Sequence, residues 1–153
     1  MTFETALPRM AALCSSAEYC EKDLREKMRR GGLPDSDIDR VIDRLYDEGF
    51  LSKERFCHAY VRDKMRFAHW GRVKIEIGLR QKGLPAEEIA AAIAEEMDED
   101  SAREEYLQKM KSAIEAKARS LKDEDPRTRR AKLIRFAMSR GYTMDEVEDY
   151  LLR

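Results

Sequence analysis

Cys57 and His58 stand side by side, the one place in the chain where a thiol adjoins an imidazole. A thiolate activated by an imidazole would support acyl transfer. On a helix, however, consecutive residues diverge by about 100°, so the pair would point apart. The reading that fits is a buried thiol beside a surface imidazole. His69 is the only other histidine, and no set of Cys and His has metal-ligand spacing. Glu87-Glu88 and Glu95-Glu96 suit a solvated helix face better than a catalytic dyad. Neither GxxxxGK[ST] nor GxGxxG occurs, so nucleotide chemistry has no phosphate cradle. These features predict a binding protein without catalytic residues, metal or cofactor.

Chemistry of another kind lies in the charges. From Arg62 to Lys82 there are seven bases against two acids, and from Arg127 to Arg140 six bases with no acid. From Ala86 to Asp100 seven acids stand without a base. Lys64, Arg66, Arg72, Lys74, Arg80 and Lys82, with Trp70 among them, could meet phosphates or an acidic protein groove. Arg127, Arg129, Arg130, Lys132 and Arg135 form a second candidate surface. The competing expectation is that these bases pair with the acidic runs of neighbouring helices. Trp70 itself suits core or hinge packing better than base stacking.

The 153 residues suffice for one compact domain or a short array. Charged residues make up 40% of them and mean hydropathy is -0.71, so apolar residues must be placed economically. The net charge of -1 conceals segregated basic and acidic stretches and says little about partners. Cys14, Cys20 and Cys57 are an odd set without a CxxC pair, as in a reducing compartment. The first fifteen residues make a poor signal peptide, and no apolar run approaches membrane-spanning length. A monomeric cytoplasmic protein, with no membrane association, is expected.

The elements that must position these residues repeat. Leu24–Ile38 (LREKMRRGGLPDSDI), Ile75–Ile89 (IEIGLRQKGLPAEEI) and Leu133–Val147 (LIRFAMSRGYTMDEV) align with their glycines, Gly32, Gly83 and Gly141, in register. Each places bases before a glycine suited to a left-handed helix stop, then an apolar residue, a helix starter and acids. Pro34 and Pro85 open the following helices, and Thr143-x-x-Glu146 replaces proline with a capping box. Ser15-x-x-Glu18 and Ser101-x-x-Glu104 read as further capping boxes. Ile38, Val41, Ile42 and Leu45 form one apolar stripe, and Ile89, Ile93 and Met97 another. A longer helix precedes each pair: Thr2–Leu13, Ser52–Phe67 (with Phe56, Ala59, Tyr60 and Phe67 on one side) and Ser101–Leu121. The fold expected is all-α: three tandem three-helix repeats, 1–49, 50–99 and 100–153, in an elongated, curved, right- or left-handed helical array.

Val73, Ile75, Ile77 and Leu79 alternate with polar residues or glycine as a strand would. The equivalent segments do not alternate and the Gly83 stop is intact, so a helix is expected there. Its two apolar pairs, Ile75 with Leu79 and Val73 with Ile77, would then face packing on both flanks. Gly78 costs such a helix about 1 kcal/mol relative to Ala, unless a close neighbour requires it.

GFLSKERFCHAYVRDK (Gly49–Lys64) followed by WGRVKIEIGLRQKGLPAEEIAAAI (Trp70–Ile93) resembles the RecX regulatory proteins of bacteria. Their pattern couples "G-apolar-x-[DE]-x-RF-x-x-x-Y" to "G-x-x-x-I-x-x-x-L-x-x-KG". Ser15–Gly32 and Arg129–Val147 match the flanking units, so the resemblance covers nearly the whole chain. It implies a modulator of the RecA recombinase that lies in the groove of the RecA filament on single-stranded DNA. Such proteins block filament extension and inhibit ATP hydrolysis, strand exchange and co-protease action on LexA, which ties them to DNA repair and the SOS response. It also implies contact through basic surfaces, Arg72, Lys74, Arg80 and Lys82 first. The family's aspartate near Ser52-Lys53 is absent, leaving the cap of that helix in question. A second class of reading stands beside it, a direct DNA binder whose basic helix pairs act like helix-turn-helix modules.

Overall fold

The computed structural model describes residues 1–152 as nine α-helices without a strand. They are α1 (Phe3–Ser16), α2 (Glu21–Arg30), α3 (Asp35–Asp47), α4 (Lys53–Arg66), α5 (Arg72–Gln81), α6 (Ala86–Ile93), α7 (Asp100–Ser120), α8 (Pro126–Ser139) and α9 (Met144–Leu151). A π-helical turn, Ala94–Asp98, prolongs α6. The alternating segment is helical, as its glycine stop requires.

The repeated stops form as predicted. Gly32, Gly83 and Gly141 have φ of 82°, 83° and 98°, and the residue after each donates to a carbonyl five positions back, Leu33 to Met28, Leu84 to Leu79 and Tyr142 to Ala137. Asp35 and Ala86 begin helices behind Pro34 and Pro85. Ser52 supplies the cap left in question, its hydroxyl accepting from the Arg55 amide.

Two predicted caps do not form. α1 continues through Ser16, where Ser15 bonds back to the Ala11 carbonyl, and α2 starts only at Glu21, behind Cys20. α7 begins at Asp100, placing Ser101 inside the helix, because the π turn ends at Asp98 and the extended Glu99 alone separates the two helices. At Ser15 the preceding helix runs on, whereas at Ser101 the following helix has already begun.

Nine helices build two cores, not three. The first holds Leu24, Met28, Ile38, Val41, Ile42 and Leu45 between α1, α2 and α3. The second runs without interruption from Cys57, Val61, Ile75 and Ile89 to Tyr106, Met110, Leu133 and Val147. Units two and three therefore share one apolar interior, whereas unit one inserts only Cys20 into it. Elsewhere unit one meets unit two through Phe50 and Leu51, which close the first core, and through polar contacts: Lys82 to Asp23 at 2.9 Å, Arg55 to Glu18 at 2.8 Å, and the Lys22 ammonium donating to the Gln81 carbonyl.

α5 packs on one side only. Ile75 and Leu79 are buried, but Val73 is 44% and Ile77 50% exposed, because no neighbour covers the second apolar pair. Phe67 is likewise 81% exposed instead of lying on the packed side of α4, which buries Phe56, Cys57, Val61 and Met65. Gly78 has its reason in Tyr60, whose hydroxyl occupies the space a Cβ would need.

Candidate partner-binding surface

The junction of units two and three is backbone against backbone. The Gly71 amide donates to the Arg140 carbonyl at 2.7 Å and the Val73 amide to the Gly141 carbonyl at 2.9 Å. A Cβ on Gly71 would overlap the Gly141 carbonyl carbon and the Tyr142 amide nitrogen, so glycine is required by proximity. Just before it, His69 is held at φ 55° while its carbonyl accepts from the Tyr142 hydroxyl at 2.8 Å. That local strain turns the chain from α4 into α5 and aims Trp70.

Arg72 closes the junction. Its guanidinium forms a two-point ion pair with Asp98 (2.6 and 3.0 Å) and reaches Glu146 at 3.1 Å. Glu146 also accepts from the Tyr106 hydroxyl at 3.0 Å and from the Thr143 amide, so the predicted capping box doubles as the socket of this network. Hydrogen bonding to Asp98 raises the Arg72 pKa, against its desolvation and with help from the charge of Glu146. Burial, reinforced by that same carboxylate, pushes the Tyr106 phenol up. Arg72 is therefore a fixed cation within the frame.

Most bases of the first run are paired in the same way. Arg62 meets Glu96, Arg66 grips Glu105 through both carboxylate oxygens (2.9 and 3.0 Å), Arg80 pairs with Glu76 and Lys82 with Asp23. The π turn carries Glu95, Glu96 and Asp98 of the acidic run to His58, Arg62 and Arg72, joining the two charge blocks. His58 is accordingly not a surface imidazole but a half-buried one, 3.1 Å from Glu96. Cys57 beside it is fully buried and its thiol is pushed up to about 11 by desolvation, then by Glu88, so it is protonated at neutral pH.

Lys64 and Lys74 are the exceptions in that run. Among the described residues neither has an ion pair, and both ammonium groups lie over the Trp70 ring, 4.9 and 4.5 Å from its centroid. Trp70 packs half-buried against the second core. Lys64, Trp70 and Lys74 thus form one cluster at the α4–α5 corner, where Phe67, Val73 and Ile77 are exposed.

In the second run Lys132 pairs with Glu124. Arg129 is half-buried, with its Nη2 3.5 Å from the Ala118 carbonyl and its Nε unpartnered. Arg127, Arg130 and Arg135 are exposed on α8 and have no ion pair among the described residues. The sequence brought Arg72, Arg80 and Lys82 forward ahead of these three, since it carries no sign of which cation will find a carboxylate after folding. The Tyr106–Glu146–Asp98 network was not anticipated either, and only the Thr143-x-x-Glu146 motif touched it.

No helix among the described residues is long and apolar enough to cross a membrane. Three family models match: the first three-helix domain of RecX over residues 9–45, the second over 54–93 and the third over 104–151. Regulatory protein RecX of Pseudomonas entomophila is 31% identical over 88% of this chain and 82% of its own length. That of Pseudomonas fluorescens is 31% identical over 91% and 84%. The crystal structure of RecX from Lactobacillus salivarius superposes with a TM-score of 0.83 at 17% identity, over 98% of this chain and 94% of that one. A second crystal structure, of regulatory protein RecX, gives 0.87 at 19% identity, over 99% and 73%. Three tandem three-helix domains define a helical-repeat protein. The chain belongs to the RecX family.

Proposed function

We propose that this protein is a non-enzymatic regulator of the RecA recombinase. In this reading it binds the RecA filament on single-stranded DNA and restrains filament extension, ATP hydrolysis, strand exchange and co-protease activity. The observation that carries the reading is the α4–α5 corner, where Phe67, Val73 and Ile77 are exposed around the unpaired Lys64 and Lys74. Such a surface offers apolar contact and positive charge together, which suits a protein groove with acidic walls better than a bare polyphosphate. Cys57, buried and protonated, takes no part, and the reading needs no cofactor.

The test is RecA-catalysed, DNA-stimulated ATP hydrolysis with increasing amounts of this protein, beside its binding to the same DNA without RecA. Inhibition well below the concentration that occupies naked DNA is expected. No inhibition, or inhibition that tracks DNA occupancy, would overturn the reading in favour of a direct DNA binder.

A further inference from the structure

Where unit one meets unit two the surface folds into a cleft of about 400 Å³. Its lining carries five bases, Lys22, Arg25, Arg29, Lys53 and Lys82, against one acid, Glu21. Glu21 is engaged by Arg25 at 2.8 Å, and Arg25 also meets Asp39. Lys82 has Asp23, and Arg29 stands 3.7 Å from Asp35. Lys22 and Lys53 have no ion pair among the described residues: the Lys22 ammonium rests on the Gln81 carbonyl at 2.6 Å, and that of Lys53 lies 5.6 Å from the centre of the Tyr46 ring. The buried Leu51 and Phe56 give the same cleft an apolar part, beside the half-buried Tyr46.

From this cleft we infer a binding site for a small anion of the phosphate-ester class, such as a nucleoside diphosphate, that bridges units one and two. Concave walls lined by one sign of charge focus the field and concentrate counter-ions. Lys22 and Lys53 are the cations left without a carboxylate, and they come from different units. A phosphate monoester carries about two charges and three strong acceptor oxygens, enough for both ammonium groups and the fork of an arginine. A carboxylate brings one charge and two oxygens. Leu51, Phe56 and the Tyr46 ring offer a surface to the organic body of such a ligand. That combination, an apolar hollow of about 300–1,000 Å³ with a few convergent polar groups, is the usual form of a small-molecule site. The cradle is built of side chains from separate helices, so it leaves no glycine-rich motif in the sequence. A nucleic-acid strand does not suit it, since duplex phosphates follow an axis in steps of about 3.4 Å per strand, whereas these cations close on a single hollow. Lys22, Arg25 and Arg29 belong to α2, Lys53 begins α4 and Lys82 follows α5. A bound anion therefore ties together two units whose contacts are largely polar.

The experiment uses the whole protein without recombinase or DNA, so its outcome is independent of the filament reading. Isothermal titration calorimetry at low salt follows ADP and, separately, pyrophosphate. Saturable one-to-one binding is expected. The Lys22→Gln/Lys53→Gln double variant, which loses two charge-assisted contacts, should weaken it by about tenfold or more. Lys111→Gln, a residue outside the cleft that pairs with Glu115 on α7, should leave it unchanged. Either probe binding in this way supports the phosphate class, and tighter binding of ADP assigns its organic body to the apolar lining. With the probe bound, amide exchange should slow in both α2 and α4. Binding of neither probe, binding undiminished in the folded double variant, or protection confined to one unit would overturn the inference.

Discussion

Replacing Gly71 by Ala should split the joint between units two and three. The added Cβ overlaps the Gly141 carbonyl carbon and the Tyr142 amide nitrogen. These are backbone atoms, which cannot turn away as a side-chain end can. Relief requires α5 and the α8–α9 turn to separate, which breaks the Gly71–Arg140 and Val73–Gly141 hydrogen bonds. Each broken bond costs about 0.5–1.5 kcal/mol net, and about 1–3 if its groups stay buried and unpaired. The two together predict a loss of about 1–3 kcal/mol, or about 2–6 if the groups stay buried and unpaired, a large part of the stability of a domain this size. Gly71 lies outside the left-handed region at φ -85°, so no backbone strain enters the estimate. Urea unfolding followed by circular dichroism measures the loss. Gly31→Ala is the control, because its Cβ would meet only the flexible end of Met1, and a change within about 0.5 kcal/mol is expected there. Equal stabilities for Gly71→Ala and wild type would refute the backbone-contact account of the joint.

The remaining predictions concern side chains. Gly78→Ala should destabilise despite its better helix propensity, and adding Tyr60→Phe should recover at least about 1 kcal/mol of the loss, since only the ring carbon, 3.1 Å away, then crowds the methyl; equal effects with and without the hydroxyl would contradict that contact. In native protein at pH 8 the partly exposed Cys14 should react first with a disulfide reagent, and Cys57 only on unfolding, its thiol being held at about 11 by burial. Burial opposes the ionisation of Asp23, but hydrogen bonds from Lys82 and Cys20 outweigh it and lower its pKa, while the bond to Asp23 raises that of Lys82 against its desolvation. The pair therefore stabilises between about pH 4 and 10, lost below as Asp23 is protonated and above as Lys82 is neutralised. Lys82→Met should cost less than about 1 kcal/mol at pH 7, a cost that falls away as acid protonates Asp23 through its lowered pKa; a cost independent of pH would point to packing instead of charge.

Local features were the most legible in the sequence. The glycine stops and the Thr143 capping box are determined by residues a few positions apart, and they form as written. Helix boundaries were misplaced at Ser15, where the upstream helix ran on, and at Ser101, where the helix had already begun, because a capping motif cannot signal either event. The sharing of one core by units two and three was hidden, since it depends on Tyr106 and Tyr142 meeting across the chain at 5.7 Å. The same holds for the site. The basic runs were visible, but which cations survive folding unpaired is decided by distant acids: Asp98 and Glu146 claim Arg72, Glu105 claims Arg66, and the π turn that delivers Asp98 has no sequence signature. Exposure of Val73 and Ile77 was equally out of reach, because amphipathic spacing shows which residues share a face but not whether anything covers it.

The most direct measurement is binding of a Lys64→Glu/Lys74→Glu variant to RecA filaments preassembled on single-stranded DNA, compared with wild type by co-sedimentation. The α4–α5 account predicts that the variant folds normally and yet binds at least tenfold more weakly, about 1.4 kcal/mol, while Arg80→Glu, whose guanidinium already pairs with Glu76, changes affinity less. Undiminished binding by the folded double variant would contradict the claim that this corner meets the recombinase.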